Sequence, residues 1–373
     1  MSAAAGPLSG LKVLEFSSVG PLPYCGMLLA DLGADVVRID RPGARGGAPF
    51  EIISRGRRSI VLDLKDPAQL KVCVQLIERA DAILEGYRPG FMERIGLGPE
   101  AMLARNPRLA YGRLSGFGQD GPMSQAVGHD INFIALSGAL GAIGTEERPT
   151  PPLNLVGGTG GALFLAFGVV CALLHAQRTE RGQVVDTAMS EAATSLMSAF
   201  LMFHAAGDHN APRGANMGDG GAHFYNAYRC ADGHYIAVGA IEPDYYAAFL
   251  EPAGIKDPEF AHQQDPARWP GLKRKLADII ATRSRADWLA AFEGADTCVT
   301  PVLELDEIPG HPQVLARGGF VEVAGVRQPA PTPRFSETPG QVQGPPPTPG
   351  RHAAETLADW GLQAGVGAAQ NPA

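Results

Sequence analysis

Leu11-Lys-Val-Leu-Glu-Phe16 runs through Ser-Ser-Val-Gly-Pro into a helical stretch from Tyr24 to Leu32. Gly33 stops that stretch, and Asp35-Val-Val-Arg-Ile-Asp40 follows. An apolar strand, a turn, a helix and a second strand in about thirty residues form a βαβ unit, which requires parallel strands and a right-handed crossover. The rhythm continues outward. Ser59-Ile-Val-Leu-Asp-Leu64 predicts a strand, Gln69 to Ala80 a helix, and Ala82-Ile-Leu-Glu85 and Leu109-Ala-Tyr-Gly-Arg-Leu114 two further strands. Near-continuous apolar strands alternating with helices predict an α/β fold with a mostly parallel sheet covered on both faces.

Beyond Gly144 a long helical stretch is expected from Gly161 to Arg178, a last strand at Gln183-Val-Val-Asp186 and another long helix from Ser190 to Ala206. Asp186, just before that helix, reads as its cap. Ala211 to Gly221 is rich in Gly and Asn and reads as a linker. Tyr225-Asn-Ala-Tyr-Arg-Cys and Tyr235-Ile-Ala-Val238 flank Ala-Asp-Gly-His, a hairpin signature. Helices at Asp244–Leu250, Gly271–Thr282 and Arg285–Ala291 and a strand at Val299–Leu303 complete a smaller α+β domain. The expected organisation is a large α/β domain over 1–206, a linker over 207–224, a small domain over 225–325, and a Pro-rich return segment with a terminal helix over 326–373. Pro345-Pro-Pro-Thr-Pro349 is extended, His352 to Gly361 forms the helix, and 363–373 is expected to be mobile.

Bulk numbers narrow the function. The chain has 373 residues, 45% hydrophobic and 19% charged, as in a packed enzyme. Its 31 Lys and Arg against 39 Asp and Glu give a net charge of −8. That argues against a nonspecific nucleic-acid binder, which needs a basic surface, but leaves room for a few arginines on an anionic ligand. Cys25, Cys73, Cys171, Cys230 and Cys298 are odd in number and scattered, so neither a zinc site nor a disulfide framework is expected and no metal is assigned. A reducing cytoplasm is the simplest setting. The first six residues carry no signal-peptide pattern. The apolar stretch Ala162–Ala176 is shorter than the roughly 20 residues of a membrane span, so a buried core helix is expected and no membrane span.

The chemistry-bearing segments are Gly128-His129-Asp130-Ile131-Asn132-Phe133 and Asn154-Leu155-Val156-Gly157-Gly158-Thr159-Gly160-Gly161. The first sets an imidazole beside a carboxylate. The second has no acid, and it lacks the Lys-Ser/Thr of a Walker motif and the spacing of a dinucleotide fingerprint. Its glycines suit close approach of the backbone to a ligand. Asp130 also reads as a helix cap, and Glu242 as a cap ahead of Pro243. Met189, Met197 and Met202 read as core, with a Met-lined acyl channel as the alternative.

Several ordered motifs resemble the family III CoA-transferases: Asp31-Leu-Gly-Ala-Asp-Val-Val-Arg38, Arg57-Arg-Ser-Ile-Val-Leu-Asp-Leu-Lys65, Glu85-Gly-Tyr-Arg-Pro-Gly90, Ser115-Gly-Phe-Gly-Gln-Asp-Gly-Pro122 and Gly182-Gln-Val-Val-Asp186. Gly128-His-Asp-Ile-Asn132, Pro151-Pro-Leu-Asn-Leu-Val-Gly157 and Gly239-Ala-Ile-Glu-Pro243 resemble its α-methylacyl-CoA racemase branch more closely, and the likeness spans roughly residues 7 to 361. The resemblance implies a Rossmann-like large domain, a smaller domain and an intertwined homodimer. It implies an acyl-CoA thioester methylated beside the carbonyl as substrate. Coenzyme A is then part of that substrate, and no separate cofactor is required.

Racemising such a thioester removes the proton from the carbon beside the carbonyl and returns one to the opposite face, so two acid/base groups must flank it. The enolate oxygen also needs donors. By resemblance His129, assisted by Glu242, serves one face, and the backbone N–H of Asp130 holds the enolate oxygen. The family's Asp for the other face falls on Gly158, which cannot carry a proton. Thr159 follows where an aromatic is usual, and Phe133 stands where a Tyr is usual. The transferases use the same Asp as acyl carrier, so Gly158 counts against that reaction too. Three accounts stay open: a racemase with another acid, such as Glu146, Glu147, a water or His223; a one-base acyl-CoA isomerase or lyase, or another homologue in the transferase family; and a non-catalytic acyl-CoA binding protein. Arg41, Arg57, Lys65 and Arg88, with Gly86 in the Glu85–Gly90 motif, are candidates for the CoA phosphates because they lie close to predicted strand ends, and α/β sheets bind ligands outside the carboxyl ends of their strands. The resemblance favours Arg41 and Arg88.

Overall fold

The computed structural model describes residues 6–362. The predicted mobility of 363–373 lies outside them. The chain forms two compact units. Among the described residues, one comprises 6–137, 153–196 and 315–362, and the other 138–152 and 197–314.

The first unit is built on six parallel strands: β1 Lys12–Phe16, β2 Asp35–Asp40, β3 Arg58–Val61, β4 Ala82–Glu85, β5 Ala110–Ser115 and β6 Gln183–Ala188. They lie in the order β3-β2-β1-β4-β5-β6, all in parallel register. The period-two alternation of β side chains splits their apolar residues between two faces. Leu14, Phe16, Val37, Ile39, Ile83 and Tyr111 point into one core with Val72, Cys73, Leu76 and Ile77 of the helix Pro67–Ile77, and with Leu357 and Trp360 at the C-terminal helix Ala353–Asp359. Val13, Val36, Ala82, Leu84 and Ala110 point into the other, with residues of the helices Leu22–Asp31 and Gly160–Thr179. The order of strands reverses between β1 and β4, and open α/β sheets bind ligands outside the carboxyl ends of their strands at such a reversal.

Most predicted elements fall within a few residues of those observed. The long helix expected from Ser190 to Ala206 is instead two, Met189–Leu196 and Ser198–Ala206. Asp186 is not a helix cap: it lies within β6 and accepts a hydrogen bond from the N–H of Gln119 at 3.4 Å. The length argument for Ala162–Ala176 also changes. With the turn before it, the helix runs unbroken from Leu155 to Thr179, 25 residues, and is long and apolar enough to cross a membrane. One side of it packs on β5 and β6. The other exposes Leu163, Phe164, Phe167, Val170 and Leu174.

Several buried ion pairs brace this unit. Arg57 Nε donates to Glu15 at 2.8 Å, and Arg55 makes a two-pronged pair with Asp31. Arg55 also donates to Gln328 and to the carbonyl of Pro329. Those last two residues belong to a hairpin, β10 Phe320–Val323 with β11 Val326–Pro329, that sequence patterning did not predict. The Pro-rich segment after it is tied down by Gln341 N–H to the carbonyl of Asp31 and by Gly56 N–H to the carbonyl of Gly344, each at 2.9 Å.

The second unit carries an antiparallel sheet of β7 Tyr225–Arg229, β8 Tyr235–Gly239 and β9 Val299–Val302. The helices Pro243–Leu250, Trp269–Ile280 and Arg285–Ala291 enclose an aromatic-rich core of Phe224, Tyr246, Phe249, Phe260, Trp269 and Trp288. The Gly- and Asn-rich stretch is held by buried Asn216, whose amide donates to the carbonyls of Ala211 and Pro212 and to Asp219.

Candidate active site

His129 and Asp130 are adjacent in sequence and opposite in environment. His129 is the extended N-cap (φ −121°, ψ 178°) of the helix Asp130–Leu136, and it is exposed. Its N–H is held by Asn132 Oδ1 at 3.0 Å, and its carbonyl accepts the N–H of Asn132 at 2.8 Å. The cap thus fixes the backbone and leaves the imidazole on the surface. Asp130 turns inward and is 7% exposed. As the first helical residue its own N–H has no intrahelical acceptor. Its carboxylate is therefore not the helix cap: Oδ1 accepts the N–H of Gly158 at 2.5 Å.

Gly158 sits in a wide π-type turn, Leu155–Thr159, that leads into the helix Gly160–Thr179. Such turns recur at functional sites. Thr159 closes the turn, donating its N–H and its hydroxyl to the carbonyl of Asn154 at 3.0 and 3.1 Å. The glycines here have different reasons. A Cβ on Gly157 would stand 2.6 Å from Asp130 Oδ1 and 3.0 Å from Ile134 Cγ2. One on Gly160 would meet Leu196 at 2.8 Å, and one on Gly161 would meet Met189 at 2.7 Å. These three allow close internal packing, so the expectation of a run open to a ligand is corrected. Gly158 alone has ordinary room: its nearest neighbour would be Asp130 Oδ1 at 3.5 Å, then Asn154 and Pro21 at 3.8 Å. Nothing local forces glycine at the position where the resemblance expects an acid.

Phe133 is buried, edge-on to Phe117 with ring centres 5.0 Å apart. Gly116 and Gly128 are small because a Cβ on either would strike its ring, at 2.4 and 2.9 Å. The ring thus anchors the His129 helix against the loop after β5.

The basic candidates divide. Arg41, directly after β2, is exposed, as are Lys65 beyond β3 and Arg88 beyond β4. Gly86 follows β4 immediately, with Ser18 Oγ 3.4 Å from where its Cβ would be. All four belong to the carboxyl edge of the sheet. Arg57 does not face solvent. Its side chain is fully buried, paired with Glu15, and it donates to the carbonyls of Ile53 and Pro23. A phosphate could reach it only by breaking that network.

The remaining candidates lie in the second unit. Glu242 is exposed and occupies the N-cap position of the helix Pro243–Leu250. Its carbonyl accepts the N–H of Tyr246 at 2.9 Å, and its side chain makes no capping bond. Glu146 and Glu147 are exposed, and Arg213 grips the carbonyls of Gly141, Thr145 and Glu146. His223 is not a surface donor. It is 0% exposed, ringed by Phe224, Tyr246 and Phe260. The Tyr246 hydroxyl donates to the carbonyl of Phe260 at 3.0 Å, so it accepts from His223 Nε2 at 2.7 Å. Nδ1 is then buried without a partner, and burial pulls the imidazole down to about 4. A neutral, sealed histidine cannot carry protons to a substrate. This unit also has an open depression of about 890 Å³ lined by Tyr245, Phe292, Glu293, Cys298 and Thr300. It contains none of the predicted site residues. No group of three or more potential metal ligands occurs among the described residues.

Sequence reasoning missed the side chain of Asp130 and the division among the glycines. A signal for the first was present, an acid directly beside the candidate base. The second needs the helix Asp130–Leu136 and the turn 155–159 in contact, which is a tertiary fact.

The family model for CoA-transferase family III matches residues 8–353. The chain is 44% identical to α-methylacyl-CoA racemase of Homo sapiens over 362 residues, covering 95% of this chain and 94% of that protein. It is 43% identical to the Mus musculus racemase, covering 95% and 93%. Among solved structures, a CAIB/BAIF family protein from Brucella suis superposes with a TM-score of 0.83 at 25% identity, covering 95% of this chain and all of that one. With the parallel sheet, the motifs along it and these matches agreeing over nearly the whole length, the chain belongs to CoA-transferase family III.

Proposed function

We propose that the protein is an isomerase of the α-methylacyl-CoA racemase type, acting on the carbon beside the carbonyl of a 2-methylacyl-CoA thioester through an enolate. The observation that carries this reading is the match to two racemases at 43–44% identity over 95% of the chain, joined to an exposed imidazole at His129. A thioester carbonyl acidifies the neighbouring C–H, and an exposed imidazole is a side chain suited to general-base work. The free N–H of Asp130 is the donor for the enolate oxygen. Arg41, Lys65 and Arg88, with the turn at Gly86, hold the phosphates of coenzyme A, which enters as part of the substrate. Glu242 assists His129 in the assembled protein. The acting form is an interlocked homodimer, and the apolar stripe Leu163, Phe164, Phe167, Val170 and Leu174 is a surface that a second copy would cover. The cytoplasm is the working compartment, and the substrates belong to lipid metabolism.

A one-base reaction is the second reading, favoured by Gly158. Incubating each enantiomer of a 2-methylacyl-CoA with the protein in deuterated water tests both. Inversion with deuterium at the α-carbon is expected. Deuterium with retained configuration would replace racemisation by one-base chemistry, and no deuterium at all would leave only acyl-CoA binding.

A further inference from the structure

We propose that the carboxylate of Asp130 is the second proton carrier of this site, standing in for the acid missing at Gly158. The proposal rests on the enolate reading above and deepens it.

The turn 155–159 is built around this carboxylate. Gly158 donates its N–H to Oδ1, and Gly157 is glycine because a Cβ would intrude to 2.6 Å from the same oxygen. Oδ1 also stands 3.5 Å from where the Cβ of residue 158 would begin, so a carboxylate already occupies the neighbourhood that a side chain at 158 would enter. Among the described residues only Oδ1 takes a hydrogen bond, so Oδ2 is free to hold a proton. Asp130 is pinned, largely buried and adjacent to His129, yet it turns inward while His129 stays on the surface.

The step balances without a co-reactant. From one enantiomer, neutral His129 takes the α-proton, and the C–H electron pair becomes the enolate. The enolate carbon then takes the proton of the Asp130 carboxylic acid on its other face, leaving an imidazolium and a carboxylate. From the other enantiomer the roles reverse: the Asp130 carboxylate takes the proton and the His129 imidazolium returns one.

The test follows deuterium entry into each enantiomer of a 2-methylacyl-CoA for the wild type, Asp130→Asn, His129→Ala and Asp130→Asn/Gly158→Asp. Asn keeps an oxygen for the Gly158 N–H and cannot carry the proton. Asp130→Asn is expected to lose racemisation by about 10²–10⁴-fold, the usual worth of one acid/base group, and to keep exchange of the enantiomer that His129 serves. His129→Ala is expected to keep exchange of the opposite enantiomer only. The double variant is expected to regain racemisation, because a Cβ at position 158 meets only ordinary contacts and an Asp there restores the missing acid. Racemisation unchanged in Asp130→Asn would overturn the proposal and leave the racemase reading standing. Equal loss of exchange from both enantiomers in Asp130→Asn would also overturn it, since that is a structural effect. A wild type that exchanges with retention would overturn it while preserving enolisation. A wild type without exchange would overturn both.

Discussion

The two histidines that drew notice in the sequence have opposite fates. His129 caps a helix through its backbone and keeps its ring in solvent. His223 is sealed in an aromatic core with one nitrogen bonded to Tyr246 and the other unpartnered. Both are imidazoles beside glycine-containing loops. What separates them is desolvation: burial disfavours the charged form, so His223 is a structural residue whose charge state matters to folding, whereas the ring of His129 keeps its access to solvent.

The largest effect expected from this contrast is catalytic. His129→Ala should lower α-proton exchange of the enantiomer it serves by about 10²–10⁴-fold, measured by mass spectrometry of the thioester in deuterated water. His223→Gln should leave the exchange rate per folded molecule unchanged. A matching loss in both variants would break the distinction.

Next is the pH dependence of folding. An unfolded imidazole protonates near pH 6.5 and His223 only near 4, so on acidification the unfolded chain takes up the proton first. The contribution of His223 is therefore complete above about pH 6.5 and declines down to about pH 4. The loss is about 3 kcal/mol across that window. Denaturant melts at pH 7 and pH 4.5 should show the decline, and His223→Gln should flatten it. A variant with the same slope as the wild type would mean the imidazole is not sealed.

The neighbouring glycines sharpen the same point on a smaller scale. Gly157→Ala forces a methyl against Asp130 and Ile134 and should cost about 1–3 kcal/mol, as overpacked sites do. Gly158→Ala fits its surroundings and should change stability by no more than about 0.5 kcal/mol. Thermal unfolding of the two variants side by side decides it, and equal destabilisation would show that position 158 is as crowded as 157.

Much of the fold was legible in the sequence. Apolar strands such as Asp35–Asp40 and Ala82–Glu85 carry their burial in their composition, and Gly33 and the Asp-Gly turn at 232–233 punctuate the chain by local backbone preference. The hairpin at 320–329 escaped because its strands are short and lack a strong turn signature. Arg57 was a phosphate candidate because it lies close to a strand end, and its buried ion pair left no local signal. Its partner Glu15 is 42 residues away, on a strand two places across the sheet.

The sequence by itself determined the parallel α/β architecture, the family and the identity of the residue at 158, because periodicity, turn residues and motifs are properties of consecutive positions. Only the tertiary structure decided which histidine is wet, which glycine is obligatory, which arginine is spent on a buried ion pair and which carboxylate stands beside Gly158. Those outcomes depend on burial and on distances of a few ångströms between segments far apart in the chain, and no local pattern encodes them.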